Sequence, residues 1–250
     1  MRRGVEISRI GSAIGTLRAI GGEGADSRVG ETVRGRVVNG SAGIVFSAAN
    51  PRPEGQDDPD GVVVLLLAAG LGRRFGGDKL AALLPDGRAV GAATLDLVRS
   101  AWPRVVCVVR PETAMAKLAN GAGVDCIECP EAVDGMGVSL AAGVRATAQA
   151  AGWVVALADM PFLQPATVRQ VALAVAAGGR LVAPTWRGTR GHPVGFHRSL
   201  IDELTGLTGD QGARQVLVRH ASELQVVEVD DPGILRDIDR PTDLAGSAAG

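Results

Sequence analysis

The run Val62-Val63-Val64-Leu65-Leu66 is apolar at every position and passes directly into Leu67-Ala68-Ala69-Gly70-Leu71-Gly72-Arg73-Arg74-Phe75-Gly76-Gly77-Asp78-Lys79. A strand that is apolar on both faces of its pleat has to be covered on both faces, which places it inside a parallel sheet. The change to small residues and glycines marks the strand's carboxyl end, the edge at which open α/β sheets hold ligands.

The pattern repeats downstream. Short apolar strands are expected at 104–109, 124–129, 153–157 and 181–183, and helical spacing is found at 90–101, 113–122, 138–150 and 165–177. This alternation predicts a doubly wound, mostly parallel α/β sheet. Segments 195–197 and 224–229 add two candidate strands on the substrate side, one of them expected to be antiparallel.

The glycines and cations after the first strand narrow the chemistry. A P-loop needs its lysine directly after the second glycine and a hydroxyl residue next, but here Asp78 separates Gly77 from Lys79 and Leu80 follows. The dinucleotide fingerprint fails as well, since Phe75 stands where its third glycine would pack a helix on the strand. What remains is a loop whose backbone N–H groups near Gly70 and Gly72 are unshielded by any Cβ, with Arg73, Arg74 and Lys79 close enough to gather round one polyanion. That combination suits a triphosphate.

Composition sets the outer bounds. With 250 residues, 46% of them hydrophobic, the chain can build a substantial core. A net charge of −1 and a pI near 6.3 supply no basic field, and no basic patch stands outside the loop, so no nucleic-acid partner is expected. The apolar run at 62–70 is far below the roughly 20 residues that cross a bilayer. Behind Arg2 and Arg3, the charges at Glu6, Arg9 and Arg18 interrupt any secretory core segment, and the expectation is a cytoplasmic protein with no membrane partner. Cys126 and Cys129 form a lone C-x-x-C without further metal-spaced ligands, and they read as buried structural thiols.

Residues 1–60 differ from the rest. They are glycine-rich, contain one aromatic in Phe46, and end in a proline- and aspartate-rich run at 51–60. They are read as a disordered N-terminal extension and linker, with a weak hairpin conceivable over 37–46 around Asn39-Gly40, ahead of a folded domain at 61–246.

A second chemical position lies where Trp153-Val154-Val155-Ala156-Leu157 runs into Ala158-Asp159-Met160-Pro161. A carboxylate at the end of a central strand, facing phosphates held by the first loop, is a hard oxygen ligand placed for Mg²⁺. The competing reading is a helix N-cap, because Pro161 and Pro165 both suit helix starts.

Over residues 62–244 the chain resembles the molybdenum cofactor cytidylyltransferase family. The resemblance rests on Leu67-Ala68-Ala69-Gly70 with Arg74 and Lys79, Gly135-Met136-Gly137-Val138-Ser139-Leu140, Ala158-Asp159-Met160-Pro161, Gly191-His192-Pro193-Val194, Thr208-Gly209-Asp210-Gln211-Gly212-Ala213-Arg214 and Asp237-Ile238-Asp239-Arg240-Pro241. It implies a Rossmann-like sheet of the nucleotide-diphospho-sugar transferase type that binds CTP through the first loop, with Lys79 and Arg74 on the phosphates and Asp159 on Mg²⁺. Guanylyltransferase relatives carry Leu-Ala-Gly-Gly at the loop start, and Ala69 in place of the first of those glycines goes with cytosine in this family.

The implied reaction is attack by the terminal phosphate of molybdopterin, or of the molybdenum cofactor, on the α-phosphorus of CTP with loss of pyrophosphate. A phosphate monoester with a second pKa near 6 is mostly dianionic at neutral pH, so the reaction asks little of a general base. Several roles stay open at this level. His192 either donates to the pterin or its phosphate or is satisfied by loop backbone. Ser139 either presents its hydroxyl and a helix N-terminus to the nucleotide or caps the helix. Asp210 and Arg214 either bind the pterin substrate or form a local ion pair. Asp239 either joins Asp159 on the metal or, with Asp237, only shapes the turn before Pro241. The product would pass to molybdenum hydroxylases or their maturation chaperone. A nucleotidyltransferase acting on a sugar 1-phosphate or another phosphorylated small molecule, and a non-catalytic cofactor carrier, are the alternatives.

Overall fold

The computed structural model describes residues 45–47, 61–210 and 212–244. The hairpin expected around Asn39-Gly40, and most of the extension that precedes the folded domain, lie outside them.

The run that opens the domain is β2 (Val62–Leu67), with all six residues buried. It pairs in parallel with β3 (Val105–Val109) on one side and β5 (Gly152–Leu157) on the other, and β4 (Asp125–Glu128) extends the parallel block beyond β3. β1 (Val45–Ser47) runs antiparallel along the outer edge of β4. On the other flank β8 (Val194–His197) is inserted antiparallel between β5 and β6 (Leu181–Trp186). β7 (Thr189–Arg190) pairs antiparallel and β9 (Leu224–Glu228) parallel with β6. Of the two late candidate strands, the segment at 195–197 is therefore the antiparallel one.

Period-2 alternation sends β2 side chains into two cores. Val62, Val64 and Leu66 meet α1 (Val90–Ala101), α2 (Ala114–Gly121) and α4 (Pro165–Ala176) on one face. Val63, Leu65 and Leu67 meet α3 (Met136–Ala146), α5 (Ile201–Thr205) and α6 (Arg214–Arg219) on the other. The two-sided apolar sequence is the direct cause of the doubly wound arrangement. Gly152 and Gly195 let α4 approach β5 and β8, because a Cβ on either would lie 2.5 or 2.4 Å from a Val175 methyl.

Two helix boundaries depart from expectation for physical reasons. α3 begins at Met136, with Gly135 as its N-terminal flanking residue and no side-chain cap. It stops at Ala146, four residues before the expected end, because the Thr147 hydroxyl donates to Gly143 O (2.7 Å) and accepts the Trp153 indole N–H (2.8 Å). The fully buried indole thereby keeps a partner for its N–H. The three cysteines are free and buried, and burial pushes the Cys126 thiol up to about 11, in keeping with structural thiols.

Candidate active site

Because β2 and β5 are adjacent and parallel, with Leu67 opposite Leu157, the glycine loop and Asp159 leave the sheet side by side. Ala158 N–H donates to Leu67 O (3.0 Å) and Ala68 N–H to Val108 O (2.8 Å), carrying the ladder one residue past the strand ends. The loop then folds on itself. Phe75 N–H donates to Gly72 O at 2.9 Å, and Gly72 takes a φ of +59° where a Cβ would lie 2.7 Å from Gly77 O. Only glycine fits there. The turn brings Lys79 back over the strand ends.

The Lys79 ammonium donates to Asp159 Oδ2 at 2.5 Å and to Asp239 Oδ1 at 3.4 Å, while Arg74 Nη1 donates to Asp239 Oδ2 at 2.8 Å. Burial pulls the Lys79 ammonium down, but the Asp159 and Asp239 carboxylates outweigh it and hold the group above its ordinary value. Burial would raise Asp239, yet Arg74 and Lys79 keep it below the usual carboxylate range. The segment bearing Asp239 is tied to the strand end by Ile238 N–H, which donates to Asp159 O at 2.9 Å. Asp237 completes a trio, since one carboxylate oxygen each from Asp159, Asp237 and Asp239 lie within 4.8 Å of one another. Burial first, and the neighbouring carboxylates second, raise Asp237.

This trio fits a divalent cation. Asp159 Oδ1 is buried and has no hydrogen-bond partner among the described residues, and an orphaned buried carboxylate oxygen beside two more carboxylates is a hard-oxygen donor set. The N-cap alternative for Asp159 does not hold, because the next helix, α4, starts only at Pro165 behind Gln164.

Lys79, Arg74, Asp159 and Asp239 line a cavity of about 420 Å³, with Asp237 beside them outside the lining. Its lining contains Leu67, Ala68, Ala69, Gly70, Gly72, Arg73, Arg74, Lys79, Ser139, Asp159, Asp210 and Asp239, so most of the residues singled out in the sequence converge here. Ser139 is buried in the first turn of α3 rather than capping it. The loop bearing Asp210 is locked to that turn: Gly137 N–H donates to Gly209 O at 2.8 Å, and a Cβ on Gly135 would lie 2.2 Å from the Gly209 carbonyl carbon.

Two expected residues are not in the lining. Arg214 lies exposed at the start of α6, and no ion pair joins it to Asp210 among the described residues. His192 lies behind the carboxylates, on a cis peptide bond to Pro193, with its backbone N–H on Ile234 O (3.0 Å). Its Nδ1 is buried without a partner among the described residues, so backbone does not satisfy the ring; burial holds the imidazole below its ordinary value against the pull of Asp159 and Asp237. The sequence reading missed Arg110, whose Nε donates to Ala69 O at 3.1 Å. The parallel register of β2 and β3, continued two residues past Leu67 and Val108, would have placed it there.

Comparison with known proteins agrees with this geometry. The purine catabolism protein PucB of Bacillus subtilis (strain 168) is 32% identical over 195 residues, spanning 72% of this chain and 92% of that protein. The crystal structure of Rv0371c from Mycobacterium tuberculosis H37Rv superposes with a TM-score of 0.62 at 27% identity, covering 73% of this chain and 94% of the other. A second structure of Rv0371c, in complex with manganese, has a TM-score of 0.56 at 24% identity over 67% and 87% of the two chains. Molybdopterin-guanine dinucleotide biosynthesis protein A from Archaeoglobus fulgidus shares the fold, with a TM-score of 0.54 at 22% identity over 73% and 94%. Residues 64–224, which run from β2 to the first residue of β9 and build most of the cavity wall, match the MobA-like NTP transferase domain, and the chain belongs to that family.

Proposed function

We propose that the chain transfers CMP from CTP to the terminal phosphate of molybdopterin or of the molybdenum cofactor, releasing pyrophosphate. The observation that carries this reading is the meeting of Lys79, Arg74, Asp159 and Asp239, with Asp237 beside them, in a cavity that the glycine loop also lines. Cations and a carboxylate cluster at one cavity suit a reaction whose substrates are both anionic phosphates. The choice of cytosine rests on Ala69, and the choice of pterin acceptor on the similarity of the six sequence motifs. A relative named for purine catabolism is consistent with a product destined for molybdenum hydroxylases or their maturation chaperone.

In this reading Asp159, Asp237 and Asp239 would hold a divalent cation, Mg²⁺ or Mn²⁺, which when bound supplies charge neutralisation at the phosphate oxygens. The Lys79 ammonium, kept charged by its carboxylate neighbours, balances triphosphate charge from the sheet side. Arg74 does so from the exposed rim. Ser139 and the first turn of α3 face the nucleotide. Asp210, in the cavity lining, would accept from acceptor N–H groups, and His192, outside that lining, would act on the acceptor only through its neighbours Asp159 and Asp237. No residue needs to remove a proton. The acceptor phosphate oxygen forms the new bond to the α-phosphorus, the bond from that phosphorus to the bridging oxygen breaks, and pyrophosphate leaves with the electron pair.

The test is pyrophosphate release by the purified chain with Mg²⁺ and molybdopterin, comparing CTP, GTP, ATP and UTP. Release with CTP alone is expected. Preference for GTP would overturn the base assignment, and silence with all four nucleotides would shift the reading to another phosphorylated acceptor or to a carrier.

A further inference from the structure

Arg110 follows β3, outside the cavity, and Ala69 and Gly70 line the cavity. Arg110 Nε donates to the Ala69 carbonyl at 3.1 Å, so that carbonyl faces Arg110. The peptide between Ala69 and Gly70 is trans, and in a planar trans peptide the C=O and the following N–H point to opposite sides. Turning the carbonyl toward a residue outside the cavity therefore turns the Gly70 N–H toward the cavity. That N–H has no acceptor among the described residues, and nothing lies within 4 Å of where a Gly70 Cβ would be.

Left alone, this peptide plane has little to hold it. It sits past the last ladder bonds of β2, between two small residues, and a flip of the plane by rotation of the flanking ψ and φ torsions costs little where glycine follows. A flip would present a carbonyl oxygen to an incoming anion instead of an N–H donor. The carbonyl's bond to Arg110 opposes it, and the backbone of Arg110 is itself held, because its own carbonyl accepts from the Thr113 hydroxyl at 2.9 Å and Thr113 caps α2.

We infer that Arg110 is a positioning residue that fixes the Ala69–Gly70 peptide so that the Gly70 N–H donates to a phosphate oxygen of the bound nucleotide. The inference rests on the nucleotide-binding reading of the cavity and adds to it a residue that never touches the ligand. It commits to phosphate rather than base, because the donor stands at the start of the loop that also carries Arg73, Arg74 and Lys79.

The experiment measures equilibrium binding of CTP, GTP and inorganic tripolyphosphate, each with Mg²⁺, to the full-length wild-type chain and to Arg110→Met and Arg110→Lys. Methionine keeps length and apolar bulk without a donor; lysine restores a donor. Loss of one oriented hydrogen bond to a charged oxygen predicts that Arg110→Met binds all three ligands about five- to tenfold more weakly, by a common factor. Arg110→Lys should recover most of that loss. In turnover the change should appear in KM for the nucleotide, with kcat at saturation within about twofold, and the melting temperature should stay near wild type. Unchanged affinity in Arg110→Met would overturn the inference. So would equal weakening in both variants together with a lowered melting temperature, which is the mark of a purely structural residue. A loss seen with one nucleotide and absent with tripolyphosphate would put the donor against the base and overturn the phosphate assignment. Failure of wild type to bind any of the three would instead remove the nucleotide reading itself.

Discussion

The two sides of the site are built in different ways. Asp159 and the glycine loop rise from β5 and β2, hydrogen-bonded neighbours buried in the middle of the sheet. Asp237 and Asp239 lie on 229–244, a segment of 3₁₀ turns and irregular chain that follows β9 at the sheet's flank and returns to the end of β5. The first side is fixed by apolar burial. The second has only Val229, Ile234 and Ile238 as buried apolar anchors and relies besides on polar pins: Asp231, which is 1% exposed, accepts from Gln164 N–H (2.9 Å), Thr167 hydroxyl (2.7 Å) and Gly233 N–H (2.9 Å). A site that must hold one phosphate firmly and admit a second has reason to be stiff on one side and adjustable on the other. The contrast predicts that substitutions on the two sides fail in different currencies, activity on the first and local order on the second.

The largest effect belongs to the stiff side. Asp159→Ala should lower turnover by at least about a thousandfold, since it removes a cation ligand and the main partner of Lys79, while unfolding stays close to wild type. Steady-state kinetics beside a denaturation curve would check both halves. Retained turnover would take Asp159 out of the mechanism and break the comparison on its rigid side.

Next comes the pin on the adjustable side. Asp231→Ala strands three donors, two of them backbone N–H groups, and should cost about 2–4 kcal/mol by urea denaturation. Because 229–244 carries Asp237 and Asp239, kcat should fall although residue 231 touches no substrate, and amide exchange should quicken in that segment and not in β2. Uniform quickening throughout the domain would show that the two sides do not differ in the way described.

A smaller effect is expected from Asp239→Asn. Its ion pair with Arg74 involves a side chain that is 78% exposed, so stability should barely change. Nucleotide turnover should drop about tenfold through the loss of one anionic ligand and of the contact to Lys79. A drop as large as that of Asp159→Ala would make the two sides equal partners on the cation.

How far this was legible in the sequence follows the same division. The β2 run declared itself because it is apolar on both faces, and α1 appears at 90–101 as its spacing predicts. The glycine loop and Asp159 were found for the same reason, since strand ends in a parallel sheet are where ligands go. The other flank was harder to read. α5 and α6 are five and six residues long, too short for a helical period to show, and β7 has only two residues. Asp231 and Asp237 look in sequence like turn aspartates, and nothing local says that one is buried under three donors and the other joins a trio. Arg110 can be found only by extending the register between two strands, which no local pattern around it shows. Ser139 was placed at a helix start correctly, but close approach of Gly135 to Gly209, a contact 74 residues away in the chain, moved the helix start ahead of it.

The smallest effect sharpens the idea that polar pins organise the far flank. His220, at the end of α6, has Nε2 2.7 Å from Glu203 on α5 and Nδ1 2.8 Å from Glu223 ahead of β9. Arg219 pairs with Glu203, and Arg180, ahead of β6, pairs with Glu223. With a carboxylate at each ring nitrogen, both nitrogens must carry protons for both bonds to form, so the arrangement is that of imidazolium. Hydrogen bonds to Glu223 and Glu203 raise His220 above its ordinary 6.5, and the same bonds hold both glutamates below their ordinary 4.5. A raised histidine contributes stability that is complete below about 6.5 and lost as pH climbs through the raised value. The lowered glutamates contribute stability that is complete above about 4.5 and lost as pH falls through their lowered values. Replacing His220 by Gln should therefore lower the melting temperature most between about pH 4.5 and 6.5, and the gap from wild type should narrow as pH climbs through the raised histidine value. A gap of constant size from pH 5 to 9 would mean that the ring acts by packing alone, and the charge network would then hold nothing on this side of the molecule.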